Sequence, residues 1–176
     1  MPQAEEAKTL VLVGLMGAGK SSVGRRLAAR LDLPFRDADT EIEERSGFSI
    51  PDYFERFGEA DFREGERRVI QSLLEEGPMV LATGGGAFMD EKTREFIRNA
   101  GTSIWLKADL ETLLERTSRS NNRPLLRGKD PRKVLQTLMD QRYPVYAQAD
   151  VTVQTGQDSP DVTVEMVVSA LKAVSS

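Results

Sequence analysis

The chain has 176 residues, 39% hydrophobic and 30% charged, which suits one soluble folded domain and excludes a disordered chain. It has no cysteine and no histidine. That excludes disulfides, thiol nucleophiles, ordinary zinc sites and a Ser-His-Asp triad, leaving Asp, Glu, Lys, Arg, hydroxyls, backbone N–H groups and cations held by oxygen. A formal net charge of −4 makes it a poor general nucleic-acid binder.

Taken in chain order, Thr9 to Leu15 reads as a first β-strand closed by glycine. Lys20 to Leu31 reads as a helix, with Val23, Leu27 and Leu31 on one apolar face. Pro34 to Asp37 gives a short second strand, and Asp39 to Arg45 an acidic helix that ends near Gly47. Ser49 can cap a short helix with Pro51 in its first turn, interrupted at Gly58. Asp61 to Leu74 forms a longer helix with Phe62, Glu66, Val69, Ile70 and Leu73 around one side.

Met79 to Ala82 is a third strand running into Gly84-Gly85-Gly86, and Asp90 to Asn99 a helix stopped at Gly101. Thr102 to Leu106 is a fourth strand, followed by a helix from about Asp109 to Arg116. Pro131 starts a helix expected to run to about Tyr143, before Pro144. Val151 to Val153 is the fifth strand, and Ser159-Pro160 opens a terminal helix with Val164, Val167, Val168 and Leu171 as its stripe. Strands alternating with helices predict an α/β fold with a mostly parallel five-stranded sheet covered on both faces. With no repeat and no low-complexity linker, residues 1–176 read as a single domain. No stretch approaches the ~20 apolar residues that span a bilayer, so a cytoplasmic location is the default expectation.

The net charge hides an asymmetry. Asp39 to Glu66 carries ten acidic and three basic residues, whereas Arg116 to Lys133 carries seven basic and one acidic. The basic run is either a solvated surface or a binding segment for a small polyanion. Residues 117 to 129 are long for a connection in such a domain, which suggests a lid.

The strongest motif is Gly14-Leu15-Met16-Gly17-Ala18-Gly19-Lys20-Ser21, which fits G-x-x-x-x-G-K-[ST] at every fixed position between a strand and a helix. Such a loop lets the N–H groups around Gly17, Ala18 and Gly19 curl about phosphate oxygens at a helix N-terminus. Lys20 would reach the β- and γ-phosphates, Ser21 would be a hydroxyl ligand of Mg²⁺, and Ser22 offers a second hydroxyl near the α-phosphate. The loop therefore predicts a nucleoside triphosphate, ATP. There is no N-K-x-D guanine motif and no suitably placed D-x-x-G switch, so a small-molecule kinase fits better than a GTPase.

Asp37 and Asp39 close the second strand, where residues i and i+2 point the same way. One can hold Mg²⁺ or its water, and the other can orient a substrate hydroxyl or take its proton; a turn or helix-cap role is the alternative. Arg63 borders an apolar helix side and Arg142 follows Leu135, Leu138 and Met139 on another. They either snorkel to water or clamp a substrate carboxylate. Gly84, Gly85 and Gly86 offer close approach to a ligand or a plain turn. Arg123 can swing over the transferring phosphoryl group as an intrachain finger. Arg116 can stack on adenine or simply balance its helix C-terminus.

As an ordered set, the Gly14–Ser21 loop, Asp37-Ala38-Asp39, Phe62-Arg63, Thr83-Gly84-Gly85-Gly86, Arg123-Pro124-Leu125-Leu126 and Arg142-Tyr143-Pro144-Val145-Tyr146 resemble the shikimate kinase family. That family falls in the nucleoside-monophosphate-kinase-like group of P-loop proteins, and the resemblance runs from about Thr9 to the terminal helix. It implies a three-layer α/β/α fold, residues 33–62 as substrate-binding region, residues 117–130 as mobile lid, and a monomer. It implies transfer from ATP, with Mg²⁺, to the 3-hydroxyl of shikimate on the route to chorismate and the aromatic amino acids. By resemblance Asp39 binds shikimate hydroxyls, Asp37 the magnesium water shell, Arg63 and Arg142 the carboxylate, and Gly85 and Gly86 line that pocket. Glu66 would support Arg63, Arg123 would contact phosphate, and Arg116 would pack on adenine, with Thr155-Gly156 near the base. The competing readings are a gluconate-type carbohydrate kinase and a noncatalytic ATP-binding regulator of the same fold.

Overall fold

The computed structural model describes residues 8–118 and 130–175. Its five strands are β1 (Thr9–Val13), β2 (Phe35–Asp37), β3 (Val80–Ala82), β4 (Gly101–Lys107) and β5 (Val151–Gln154). They form one sheet in the order β2-β3-β1-β4-β5, and every pairing is parallel. The sheet is thus wholly parallel, where the sequence predicts a mostly parallel one. All five residues of β1 are buried and it is flanked by neighbours on both edges, which explains why it reads as an unbroken apolar run rather than an alternating one.

Among the described residues seven α-helices flank the sheet: α1 (Lys20–Leu31), α2 (Ala38–Ser46), α3 (Ile50–Glu75), α4 (Glu91–Ala100), α5 (Leu110–Ser118), α6 (Pro131–Tyr146) and α7 (Pro160–Ser175). Local chemistry sets most of their starts. Ser49 accepts from Asp52 N–H with Pro51 in the first turn of α3, Asp90 accepts from Thr93 N–H, and Asp130 accepts from Arg132 N–H. Asp90 also takes a two-point grip from Arg67, at 2.7 and 2.8 Å, which ties α3 to α4. The Arg67 guanidinium holds the Asp90 carboxyl well below the ordinary carboxylate range.

Three boundaries differ from the sequence reading. The two helices expected on either side of Gly58 are merged into α3, kinked where Gly58 takes φ 82°. Asp37 and Asp39 do not share a strand end: Asp37 is the N-cap of α2, accepting from Asp39 and Thr40 N–H, and Asp39 lies in the first helical turn. And α6 passes through Pro144 to Tyr146. Proline removes only one intrahelical bond, and Ala147 N–H still reaches Tyr143 O at 3.0 Å to close the final turn.

The chain connects β1 to β2 on one side and β3 to β4 across to the other, so the connections diverge around β1. In open parallel sheets, ligands bind beyond the carboxyl ends of strands at such a point. The loops after β1, β2 and β3 all emerge there. Thr83, just past β3, donates from both N–H (3.2 Å) and Oγ1 (2.8 Å) to Leu12 O and so fixes the glycine run beside the phosphate loop. No helix among the described residues is long and apolar enough to cross a membrane.

Candidate active site

The Gly14–Ser21 loop follows β1 and opens α1. Gly17 and Gly19 take φ 84° and 92°, a region costly to residues with a side chain, which is why the motif needs glycine there. Lys20 Nζ donates to the carbonyls of Gly14 and Leu15, bracing the loop that would receive phosphate. Arg116, from α5, donates to Gly17 O (3.2 Å) and Ala18 O (3.0 Å), and its other arm reaches Gly156 O at 2.6 Å. It bolts the phosphate loop to the segment between β5 and α7. It also lines the wall of a cavity of about 370 Å³ beside the loop, compatible with the expected place beside adenine.

That cavity is also lined by Gly19, Ser22, Thr155, Gln157 and Asp158. Ser22 Oγ accepts from Arg26 at 2.7 Å. Thr155 is 2% exposed and its Oγ1 has no hydrogen-bond partner, a buried hydroxyl that a polar ligand in the cavity would satisfy. The volume suits a small ligand. Positive-φ glycines, a helix N-terminus and an orphaned polar wall fit a nucleotide.

Ser21 Oγ donates to Asp37 Oδ2 at 2.7 Å, so a hydroxyl and a carboxylate meet at the start of α1. No group of three or more His, Cys, Asp or Glu that could hold a metal occurs among the described residues. This sparse, all-oxygen pair fits a hydrated Mg²⁺, which keeps several waters and takes its other ligands from phosphate.

The second half of the site is built on Gly84–Gly86. A Cβ placed on Gly84 would lie 2.8 Å from Asp39 Oδ1 and 3.3 Å from Glu66 Oε2. On Gly85 it would lie 3.1 Å from an Arg142 nitrogen and 3.8 Å from Gly14 O and Met16 N of the phosphate loop. On Gly86 it would overlap the Arg63 guanidinium, 2.1 Å from a nitrogen. The run is glycine because charged side chains from α2, α3 and α6 rest directly on its backbone. Side chains distant in sequence thus converge beside the phosphate loop.

The electrostatics are tuned by burial. Asp39 is pushed above the ordinary carboxylate range by burial and then by Asp37, with Lys20 and Arg63 pulling the other way. Burial raises Glu66 to about 7 against the pull of Arg63, which donates to it at 2.8 Å. Its side chain is 3% exposed while that of Arg63 is 22% exposed, so a buried carboxylate anchors an arginine that is only partly buried.

Of the residues singled out from sequence, the phosphate loop with Lys20, Ser21, Ser22 and Arg116 forms one group, linked by Ser21–Asp37 and Gly85 to Asp39, Arg63, Gly84, Gly86 and Arg142. Arg123 and residues 119–129 of the expected lid lie outside the described residues. Sequence reasoning missed the Thr155 hydroxyl as an unsatisfied wall group. It also passed over Tyr146, whose hydroxyl donates to Gly85 O; the four-residue step from Arg142, one helical turn, was the available signal.

The family model for shikimate kinase matches residues 16–172. A shikimate kinase of Paramagnetospirillum magneticum is 61% identical over 164 residues, covering 93% of this chain and 84% of that protein. The solved structure of shikimate kinase from Acinetobacter baumannii in complex with shikimate aligns with TM-score 0.91 at 39% identity, covering 95% of this chain and 94% of the other. A gluconokinase from Sinorhizobium meliloti shares the fold, at TM-score 0.65 and 19% identity over 95% of this chain and 93% of its own. The phosphate loop is common ground for many kinases, but close identity along nearly the whole chain is not, and it accompanies an arrangement of arginines and carboxylates suited to a hydroxylated acid: the chain belongs to the shikimate kinase family.

Proposed function

We propose that this site transfers the γ-phosphoryl group of ATP to the 3-hydroxyl of shikimate, releasing ADP and shikimate 3-phosphate. The observation that carries the assignment of roles is the convergence of Asp39, Arg63 and Arg142 on Gly84–Gly86, a glycine run so placed that a Cβ on Gly85 would meet the phosphate loop. A small acid bearing hydroxyls and one carboxylate matches that set of charges.

The N–H groups of Gly17, Ala18 and Gly19 and the N-terminus of α1 cradle the phosphates, and Lys20 swings from its loop carbonyls to their oxygens. Ser22 and Arg116 border the rest of the nucleotide, with Arg116 on the adenine side. Ser21 and, through water, Asp37 would hold Mg²⁺, which would neutralise charge on the phosphate oxygens. Arg63, anchored by Glu66, and Arg142 bind the shikimate carboxylate and so set the ring. Asp39 holds the 3-hydroxyl in line with the γ-phosphorus; the oxygen–phosphorus bond to shikimate forms as the bond to ADP breaks. Its raised proton affinity suits it to receive the hydroxyl proton as transfer completes. Arg123 contributes charge to the transferring phosphoryl group from residues 117–130, which act as the lid, and residues 33–62 are the substrate-binding region. Alignment and charge stabilisation carry the rate, as phosphoryl transfer requires.

This reading uses one chain, acting as a monomeric single domain in the cytoplasm, and calls on no nucleic acid or membrane. Coupled ADP release with purified protein, Mg²⁺ and ATP tests it. Turnover is expected with shikimate and not with gluconate. Shikimate-independent turnover, preference for gluconate, or ATP binding without transfer would overturn it.

A further inference from the structure

Tyr146 is the last residue of α6 and is fully buried. Arg142 lies one turn earlier, on the same helix face. The Tyr146 hydroxyl donates to the carbonyl of Gly85, and the Arg142 guanidinium lies against the same glycine: a Cβ on Gly85 would fall 3.1 Å from an Arg142 nitrogen. A carbonyl can only accept, so the hydroxyl proton points at Gly85 and its lone pairs are free to take a bond from the guanidinium, which can only donate. Burial pushes this phenol up to about 12, so it remains a donor at any working pH.

The ring does not need the hydroxyl to stay in place. It packs against Trp105 at 5.7 Å, Tyr143 at 6.1 Å and Phe88 at 6.5 Å between ring centres. A phenylalanine would fill the same space without the cost of burying a polar oxygen. What the oxygen adds is a link between the end of α6, where Pro144 has removed one backbone bond, and the glycine run after β3. It also restricts the long Arg142 side chain, which otherwise has many rotamers to lose on binding an anion.

We infer that Tyr146 is a positioning residue for the acid substrate: through its hydroxyl it fixes the Arg142 guanidinium against Gly85 so that the arginine meets the substrate carboxylate already oriented. This rests on the reading of Arg142 as a carboxylate ligand. A double-mutant cycle separates the two. Arg142→Ala, Tyr146→Phe and the double variant are compared with the wild type for the KM of shikimate, the KM of ATP and the melting temperature.

Tyr146→Phe is expected to raise the shikimate KM roughly tenfold, the scale of one hydrogen bond to a charged group, and to leave the ATP KM within about twofold. In the Arg142→Ala background the same change should add less than about twofold, because its target is gone. An equal tenfold loss in both backgrounds, no loss in either, or loss of the folded state on removing this one oxygen would overturn the inference in favour of packing alone. An unchanged shikimate KM in Arg142→Ala would instead remove the carboxylate role of Arg142.

Discussion

The two halves of the site solve similar problems by different means. The phosphate half is main chain: consecutive amides, two left-handed glycines and a helix N-terminus, supplied by eight adjacent residues. The half proposed to hold the acceptor is side chain: Asp39, Arg63, Glu66, Arg142 and Tyr146, from three helices, laid on three glycines. Phosphate is common to every nucleotide, so a rigid, generic cradle serves it. One acid among many needs charges at fixed separations, which only elements distant in sequence can supply. The glycines differ accordingly: in the first half they free the backbone to bend, and in the second they let side chains come close.

The largest effect expected from this division is at Asp39. Asp39→Asn keeps the shape and removes the charge, and should lower kcat by about 10²- to 10⁴-fold while the dissociation constant of ATP changes little. Parallel losses in turnover and ATP affinity, measured by steady-state kinetics and calorimetry, would erase the boundary between the halves. Gly86→Ala comes next. The added methyl overlaps the Arg63 guanidinium, which must shift by an ångström or more, and misplacement on that scale can cost about 10²-fold in kcat/KM for shikimate. ATP affinity should hold.

A separate effect falls on stability rather than turnover. Glu66 stands at about 7 in the folded chain against an ordinary value of 4.5. Between those values the folded chain holds a proton that the unfolded chain releases. Its contribution is complete below pH 4.5 and is lost as pH rises through about 7, on the order of 3 kcal/mol. Asp39 slopes the same way. Asp90, held low, contributes with the opposite sign, but only where pH falls below the ordinary carboxylate range. Urea midpoints from pH 5 to 8 should therefore fall for the wild type and flatten in Glu66→Gln. An identical slope in both would place the titration elsewhere.

The same contrast explains what could be read from the chain. The loop, the strands and the stripes of α1 and α7 are local patterns, and the structure follows them closely because periodicity and glycine spacing are themselves local. Asp37 meets the phosphate loop through Ser21, though not as half of the strand-end pair that the spacing predicts. An extended pair was expected, but Asp37 caps α2 and turns the chain, so Asp39 arrives from a helix. Pro144 signalled a helix end, yet one lost backbone bond did not outweigh the packing of Tyr146 in the core. No spacing rule brings Arg63 to Gly86 or Arg142 to Gly85. Family resemblance supplied those partners, and tertiary packing supplies the reason. Arg116 shows a further limit: its charge was visible, but three carbonyl acceptors on two loops were not.

The separation of labour is tested most directly by calorimetric titration of Arg63→Ala with shikimate and, separately, with ATP. Loss of a charge-assisted contact to the acid should weaken shikimate binding roughly 10- to 100-fold and leave ATP within about twofold. Equal weakening of both ligands, or a loss confined to ATP, would contradict the account.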